Sequence, residues 1–146
     1  MRRRLADGFE LDDDPERVDL DAVHAFISGE SYWGRGRSRE FVKRTIRRSQ
    51  RVTGLYLDGR QVGFARAVSD GATVAYLADV YVLSEYRGRG LGLELVREII
   101  EGGELADIHW LLHTADAGGL YERIGFREGP IRFPLMERSR GYDGGR

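Results

Sequence analysis

One segment, residues 72–103, constrains the fold of this chain more than any other. It begins with an apolar run, "ATVAYLADVYVL", passes through the corner "RGRGLG" and continues as the helical pattern "LGLELVREIIEGG". A run that is apolar at nearly every position is typical of a central strand that is buried on both faces. The segment therefore predicts a buried strand, a tight glycine-rich turn and a helix that packs back on the sheet.

The chain before this segment predicts two helices followed by a hairpin. Asp19 or Asp21 is placed to cap the first helix, and Ser38 to cap the second. The pair Asp58-Gly59 is a preferred tight hairpin turn, and Asp70-Gly71 marks the next break. Because a hairpin-linked set leads into a strand–helix–strand unit, we expect an α/β (α+β) domain with a mixed sheet flanked by helices.

The ends of the chain look less regular than its middle. Residues 1–8 and the tail 138–146 are predicted to be disordered or flexible, which leaves a single domain over residues 9–137. Within that domain, "IHWLLHTA" predicts another buried strand and "DAGGLYERIG" a short helix. A closing strand, "FREGPIRFPLMER", is interrupted by Pro130 and Pro134.

Composition excludes several classes of protein. The formal net charge of −1 over 146 residues argues against a general nucleic-acid binder. The chain has no cysteine, so disulfides and thiolate metal sites are excluded, and no cluster has metal-ligand spacing. No apolar run is long enough for a membrane span, and the charged start lacks the apolar region of a secretory signal. These features predict a cytoplasmic protein without metal or membrane partner, and they leave a homodimer open.

The glycine corner has the chemistry of an anion site. Backbone N–H groups at a helix start are unpaired and carry partial positive charge, and glycines let a ligand approach them closely. A turn without a ligand is the simpler interpretation. A P-loop is disfavoured because no Gly-Lys-Ser/Thr follows, and a dinucleotide fingerprint because Leu93 occupies the third glycine position.

Two motifs in this order resemble those of the GNAT superfamily of acyl-CoA N-acetyltransferases. The corner matches the family's Arg-x-x-Gly-x-Gly motif at Arg87, Gly90 and Gly92, and "LYERIGF" is similar to its Leu-Tyr-x-x-x-Gly-Phe segment around Tyr121. The order of elements over residues 9–137 is similar too. The resemblance implies the GNAT fold, with a splay between the two central strands and acetyl-CoA as cosubstrate.

The resemblance also implies which residues hold the coenzyme. Backbone groups of the strand end would contact the pantetheine arm, and the corner would cradle the pyrophosphate. Thr114 stands where many members have an asparagine that helps bind the coenzyme. The implied coenzyme-binding residues are Val80, Tyr81, Val82, Arg87, Gly88, Arg89, Gly90, Leu91, Gly92 and Thr114.

Two residues are candidates for catalysis. Tyr121 matches the family tyrosine that gives a proton to the departing thiolate, although a core aromatic is the alternative. Asp79 is the only carboxylate in the apolar strand, so with a raised pKa it could act as general base; otherwise it accepts hydrogen bonds from backbone or a nearby arginine. His24 is more typical of a packed residue, and His113 is a further candidate base.

The loop "SYWGRGR" lies between the first two helices, in the region that shapes the acceptor pocket of the family. Ser31, Tyr32 and Trp33 are therefore candidate substrate contacts, with capping of the core as the alternative. The basic run "KRTIRRSQR" is either a solvated helix face or an attractant for acidic ligands. The expected activity is direct transfer of acetyl from acetyl-CoA to a primary amine of a small molecule or protein. The alternative is a catalytically silent acyl-CoA-binding sensor or interaction module.

Overall fold

The computed structural model describes residues 1–129, 133–138 and 140–141. The chain groups into two compact units, residues 1–114 and residues 115–146, and each is described by itself. The single domain expected over residues 9–137 stays a prediction. Most of the tail expected to be flexible lies outside the described residues.

A six-stranded mixed sheet forms the first unit, with its strands arranged in chain order. Its strands are β1 (Arg2–Arg4), β2 (Phe9–Asp12), β3 (Arg51–Leu57), β4 (Arg60–Ser69), β5 (Val74–Val82) and β6 (His109–Leu111). All neighbours are antiparallel except β5 and β6, which a helix connects. The mixed sheet that the sequence predicts is confirmed. The turn Asp58-Gly59 joins β3 and β4 with positive φ at both residues, as a tight hairpin requires.

Among the described residues, three α-helices belong to the first unit and one to the second. They are α1 (Leu20–Gly29), α2 (Arg39–Arg47), α3 (Leu91–Glu101) and, in the second unit, α4 (Gly118–Glu122). The Asp19 side chain accepts from the Ala22 N–H, so Asp19 and not Asp21 caps α1. Ser38 caps α2 as predicted, accepting from the Phe41 N–H. No helix within the described ranges has the length and apolar character needed to cross a bilayer.

The helices of the first unit cover the two faces of the sheet. Phe26 of α1 and Val42 of α2 pack with Val52, Phe64 and Tyr81 in one buried cluster. Helix α3 packs across β3, β4 and β5 and contributes none of the residues of that cluster. Neighbouring residues of a strand point to opposite faces, and the Arg51 guanidinium, next to Val52, reaches the carbonyls at the end of α3. The sheet is therefore sandwiched between α1–α2 and α3.

Two irregularities shape β5. Its pairing with β4 slips by one residue, because Phe64 lies opposite Tyr81 whereas Arg66 lies opposite Ala78. Asp79 sits at this bulge with a φ of 53°. On the other side, β6 pairs only with Val74–Tyr76, so the rest of β5 has no strand partner there among the described residues. This opening is the splay that the sequence analysis expected.

The structure departs from the sequence-based expectation at both ends. Residues 2–4, expected to be disordered, form β1 and pair with β2. The reason is electrostatic, since the Arg3 guanidinium donates to Glu94 and Glu98 of α3. Strand β6 is also less buried than predicted, because it is the last strand of the described sheet. Of the expected closing strand, the described part is not a strand, and residues 130–132 lie outside the described residues.

The ion pairs of Arg3 should make the N-terminal strand part of the folding unit. Arg3→Ala leaves the Glu98 carboxylate, only 8% exposed, without its cation 3.0 Å away. We expect the free energy of unfolding, measured in urea, to fall by about 1–2 kcal/mol. Arg4→Ala is the matched control, because Arg4 lies on the same strand and has no ion pair within the described residues. Equal stability of both variants would contradict the docking of β1.

Candidate functional site

The glycine corner joins β5 to α3 through two left-handed residues. Gly88 has a φ of 80° and Gly90, which precedes the first residue of α3, has a φ of 77°. Only glycine adopts these angles without strain. A Cβ atom at either position would meet no atom within 4 Å, so the space beside this backbone is open. The first N–H groups of α3 have no partner inside the helix, and the corner can therefore receive an anion.

The two arginines of the corner have contacts of their own. Arg87 Nε donates to the carbonyl of Val82 at 3.0 Å and so ties the corner to the end of β5. The Arg89 guanidinium lies 6.0 Å from the ring centroid of Phe9. Sequence reasoning assigned Arg87 only to the ligand, and the structure adds this role in holding the turn.

Successive residues at the end of β5 direct their backbone N–H and C=O groups toward β4 and toward the splay in turn. The Leu83 N–H donates to the Val62 carbonyl of β4 at 2.9 Å. Backbone groups of an antiparallel pair alternate, so Tyr81 also faces β4, whereas Val80 and Val82 face the splay. The Tyr81 ring stacks on Phe26 with centroids 3.9 Å apart. The predicted coenzyme role is thus compatible with Val80 and Val82 but not with Tyr81, whose backbone and ring serve the core.

Asp79 is the centre of a buried polar cluster. Its carboxylate accepts from Arg66 Nε at 2.6 Å, from the Trp33 indole N–H at 2.8 Å and from Arg37 Nη1 at 3.1 Å. Burial acts to raise the pKa of Asp79, but the charges and hydrogen bonds of these three partners outweigh it, and the pKa is lowered. The raised pKa expected for a general base is wrong. The alternative that the sequence left open, an acceptor for a nearby arginine, is what the contacts show.

The three predicted substrate contacts in the loop after α1 differ in their exposure. Ser31 is 2% exposed; its hydroxyl donates to the Ile27 carbonyl and accepts from the Gly34 N–H, so it closes the helix end and is not free for a substrate. Tyr32 and Trp33 are 56% and 38% exposed and meet edge to face at 5.0 Å. The loop therefore offers an aromatic pair next to Asp79.

Sequence reasoning missed Arg37, Arg66 and Tyr76. The Tyr76 hydroxyl lies 2.7 Å from Nδ1 of His113, and burial raises the pKa of Tyr76. The one sequence feature that could have indicated this cluster was Arg66, an arginine within the otherwise apolar strand "VGFARAV".

His24 contacts the Arg37 carbonyl through Nε2, which agrees with the packed role expected for it. Across the described ranges, no group of acidic or histidine side chains could hold a metal ion.

Two further predicted residues lie near the unit boundary and beyond it. Thr114 ends the first unit and is exposed. Tyr121 lies in α4, is 9% exposed and meets Phe126 edge to face at 5.9 Å. Gly125, with a φ of 96°, turns the chain so that the Phe126 N–H donates to the Tyr121 carbonyl. The Leu-Tyr-x-x-x-Gly-Phe segment is thus a helix end closed by a left-handed glycine.

Comparisons with known proteins agree with this geometry. A family model described as "Acetyltransferase (GNAT) domain" matches residues 48–128. A crystal structure from Xanthomonas campestris pv. campestris, classed with the GNAT family, is 38% identical, with a TM-score of 0.84 over 90% of this chain and 93% of that one. A second structure, from Deinococcus radiodurans and classed as an acetyltransferase, is 27% identical, with a TM-score of 0.71 over 92% and 93% of the two chains.

A curated relative from Gibberella zeae, also classed as an acetyltransferase, is 31% identical over an alignment of 110 residues that covers 61% of this chain. This match spans 62% of that relative's own length, and a match to a Pyropia yezoensis N-acetyltransferase spans 43%. The family model covers more than half of the chain, and the sheet, the splay and the glycine corner agree with it. The chain therefore belongs to the GNAT family of acetyltransferases.

Proposed function

We propose that this protein transfers the acetyl group of acetyl-CoA directly to a primary amine of a small molecule or protein. One observation carries the proposal: two left-handed glycines with open space beside them precede α3 and follow the strand end that splays from β6. Such a corner suits the coenzyme pyrophosphate, and the unpaired strand edge suits the amide groups of its pantetheine arm.

On this proposal the coenzyme is held mainly by backbone. N–H groups between Gly88 and Gly92 would bind the pyrophosphate. Main-chain groups of Val80 and the N–H of Val82 would bind the arm, since the Val82 carbonyl already accepts from Arg87. The hydroxyl of Thr114 would take over part of the contact that an asparagine makes in other family members. Bound in this way, acetyl-CoA supplies the thioester whose carbonyl carbon the amine attacks.

The transfer requires a proton acceptor for the amine and a proton donor for the thiolate. Asp79 is a poor acceptor because its charge is already neutralised by arginines. His113 is the better acceptor on geometry, because in the tautomer whose Nδ1–H donates to the Tyr76 hydroxyl oxygen the Nε2 lone pair is left for the amine. Tyr121 is the proposed donor, on the strength of its motif match. Asp79 then orders the acceptor side by joining Trp33 and Arg37 to the sheet.

Binding of the coenzyme without catalysis is the second candidate function. It is favoured by Asp79, whose carboxylate is already paired with two arginines and is therefore a poor general base. Release of free thiol from acetyl-CoA in the presence of an amine panel separates the two functions, because a sensor binds the coenzyme without consuming it. The panel also tests whether the acyl group is acetyl, if longer acyl-CoA esters are included.

The coenzyme site can be tested at Gly90. In Gly90→Val the new side chain enters the open space beside the corner, so we expect acetyl-CoA affinity, measured by calorimetry, to fall at least about tenfold. Gly71→Val is the matched control: Gly71 has a φ of 78° at the β4–β5 turn, and a Cβ there makes only an ordinary 3.6 Å contact. The control should lose similar stability and keep its affinity. Wild-type affinity in folded Gly90→Val would reject the site.

The proposed proton donor can be tested by Tyr121→Phe, which keeps the ring and removes the hydroxyl. If protonation of the thiolate limits turnover, kcat should fall by on the order of 10² while acetyl-CoA affinity changes less than about twofold. Tyr56→Phe removes a phenol from β3 and should keep wild-type kcat. Turnover by Tyr121→Phe at the wild-type rate across the pH range would exclude the role without excluding acetyl transfer.

The ordering role of Asp79 predicts a pH-dependent loss of stability. Asp79→Asn leaves Arg66 and Arg37 without a carboxylate, so the free energy of unfolding at neutral pH should fall by on the order of 2–4 kcal/mol. The pKa of Asp79 is lowered from 3.8 by folding. The wild-type advantage is therefore present above that value and is lost as the pH falls through the lower folded pKa.

Urea unfolding at about pH 7 and about pH 3 measures this difference. Asp58→Asn is the matched control, because Asp58 also has a left-handed backbone, with a φ of 49°, and has no ion pair in the described ranges. It should unfold like the wild type at both pH values. An Asp79→Asn deficit that does not shrink in acid would contradict the ionic explanation.

A further inference from the structure

Two arginines share one carboxylate beside the splay. Arg66 and Arg37 both pair with Asp79, and no other carboxylate of the described residues lies within 4.0 Å of either guanidinium. Their side chains are only 12% and 28% exposed. The cluster therefore holds an excess positive charge in a place that water reaches poorly, and such a charge is stabilised by an anion.

The same two guanidinium groups have unused donors. Each carries five N–H donors. Arg66 donates to Asp79 through Nε only, and Arg37 donates to Asp79 through Nη1 only. Among the described residues, only Thr53 Oγ1 is a fully buried side-chain polar atom without a partner. The remaining guanidinium nitrogens are therefore not fully buried, and their planar fork matches a carboxylate.

An apolar row lies next to this cluster on the same face of the sheet. Val68 of β4 is opposite Tyr76 of β5, which is opposite Leu111 of β6. Val68 follows Arg66 by two residues, so both side chains project from one face. Val68 and Leu111 are 45% and 38% exposed, which means that the helices leave this end of the sheet open.

We propose that the acceptor is an α-amino acid with an apolar side chain. This inference rests on the proposed function and names its substrate class. The free N–H groups of Arg66 and Arg37 bind the acceptor carboxylate, and the side chain lies on the Val68–Tyr76–Leu111 row. The excess positive charge disfavours polyamines and lysine side chains, which bring a cation without a carboxylate.

The chemistry of this acceptor balances with acetyl-CoA as the only co-reactant. The neutral amine nitrogen forms a bond to the acetyl carbonyl carbon, and the C–S bond of the thioester breaks. The sulfur leaves with the bonding electron pair and takes up one proton, while the nitrogen gives up one. The products are an N-acetylated amino acid, which keeps its carboxylate, and free coenzyme A.

Matched acceptors test the inference through thiol release. Phenylalanine, phenylalaninamide and phenethylamine share the ring and the amine, and only the first has the carboxylate. We expect kcat/KM for phenylalanine to exceed that for the other two by about tenfold or more, the scale of one charged hydrogen bond. Arg66→Gln should bring the ratio close to one, and Arg66→Lys should restore it in part. Arg47→Gln, on the exposed side of α2, is the control and should keep the wild-type ratio.

A binding measurement separates failure of this inference from failure of the proposed function. N-acetylphenylalanine and N-acetylphenethylamine are titrated into the protein saturated with coenzyme A, and we expect the acid to bind at least about tenfold more tightly in an Arg66-dependent way. If no amine is acetylated but this preference is found, the carboxylate site stands and acetyl transfer fails.

The opposite result is equally decisive. If amines without a carboxylate are acetylated as well as phenylalanine, the acceptor class is overturned and acetyl transfer stands. If neither acetylation nor Arg66-dependent binding is found, both are overturned. Circular dichroism of each variant confirms that a lost preference does not arise from unfolding.

Discussion

The carboxylate of Asp79 connects three parts of the first unit through three partners. It sits at a bulge of β5, pairs with Arg66 on β4, and fixes Trp33 and Arg37 of the loop between α1 and α2. Loops that carry recognition residues need such anchoring, because an untethered aromatic loop would sample many positions. One buried ion therefore determines both the local shape of the strand and the position of the aromatic pair.

The glycine corner presents backbone groups, whereas the cluster around Asp79 presents side chains. At the corner, Gly88 and Gly90 present main-chain N–H groups, whose direction depends on φ and ψ and hardly on side-chain identity. At Asp79, charge and shape come from side chains that project from one sheet face. A backbone site can be kept while acceptor contacts vary, which explains how one fold serves many acceptors.

Predictions based on neighbouring residues succeeded. The caps at Asp19 and Ser38, the Asp58-Gly59 hairpin and the strand–corner–helix segment depend on contacts a few residues apart. Predictions that depended on distant partners did worse. The charged start of the chain looked disordered because its partners, Glu94 and Glu98, lie on a helix more than ninety residues away. Ser31 looked available until the fold turned its hydroxyl toward the end of α1.

By itself, the sequence determined the order of elements from α1 to α4, the mixed sheet and the family, because periodicity, turn residues and spaced glycines are properties of the chain. Only the tertiary structure decided the chemistry of Asp79. A carboxylate in an apolar strand has a raised pKa if it is alone and a lowered one if cations reach it. The bulge, the β4 register and the loop brought in Arg66 and Arg37. Electrostatic interactions depend on distance in space, and that distance is set only when the strands and the loop have packed.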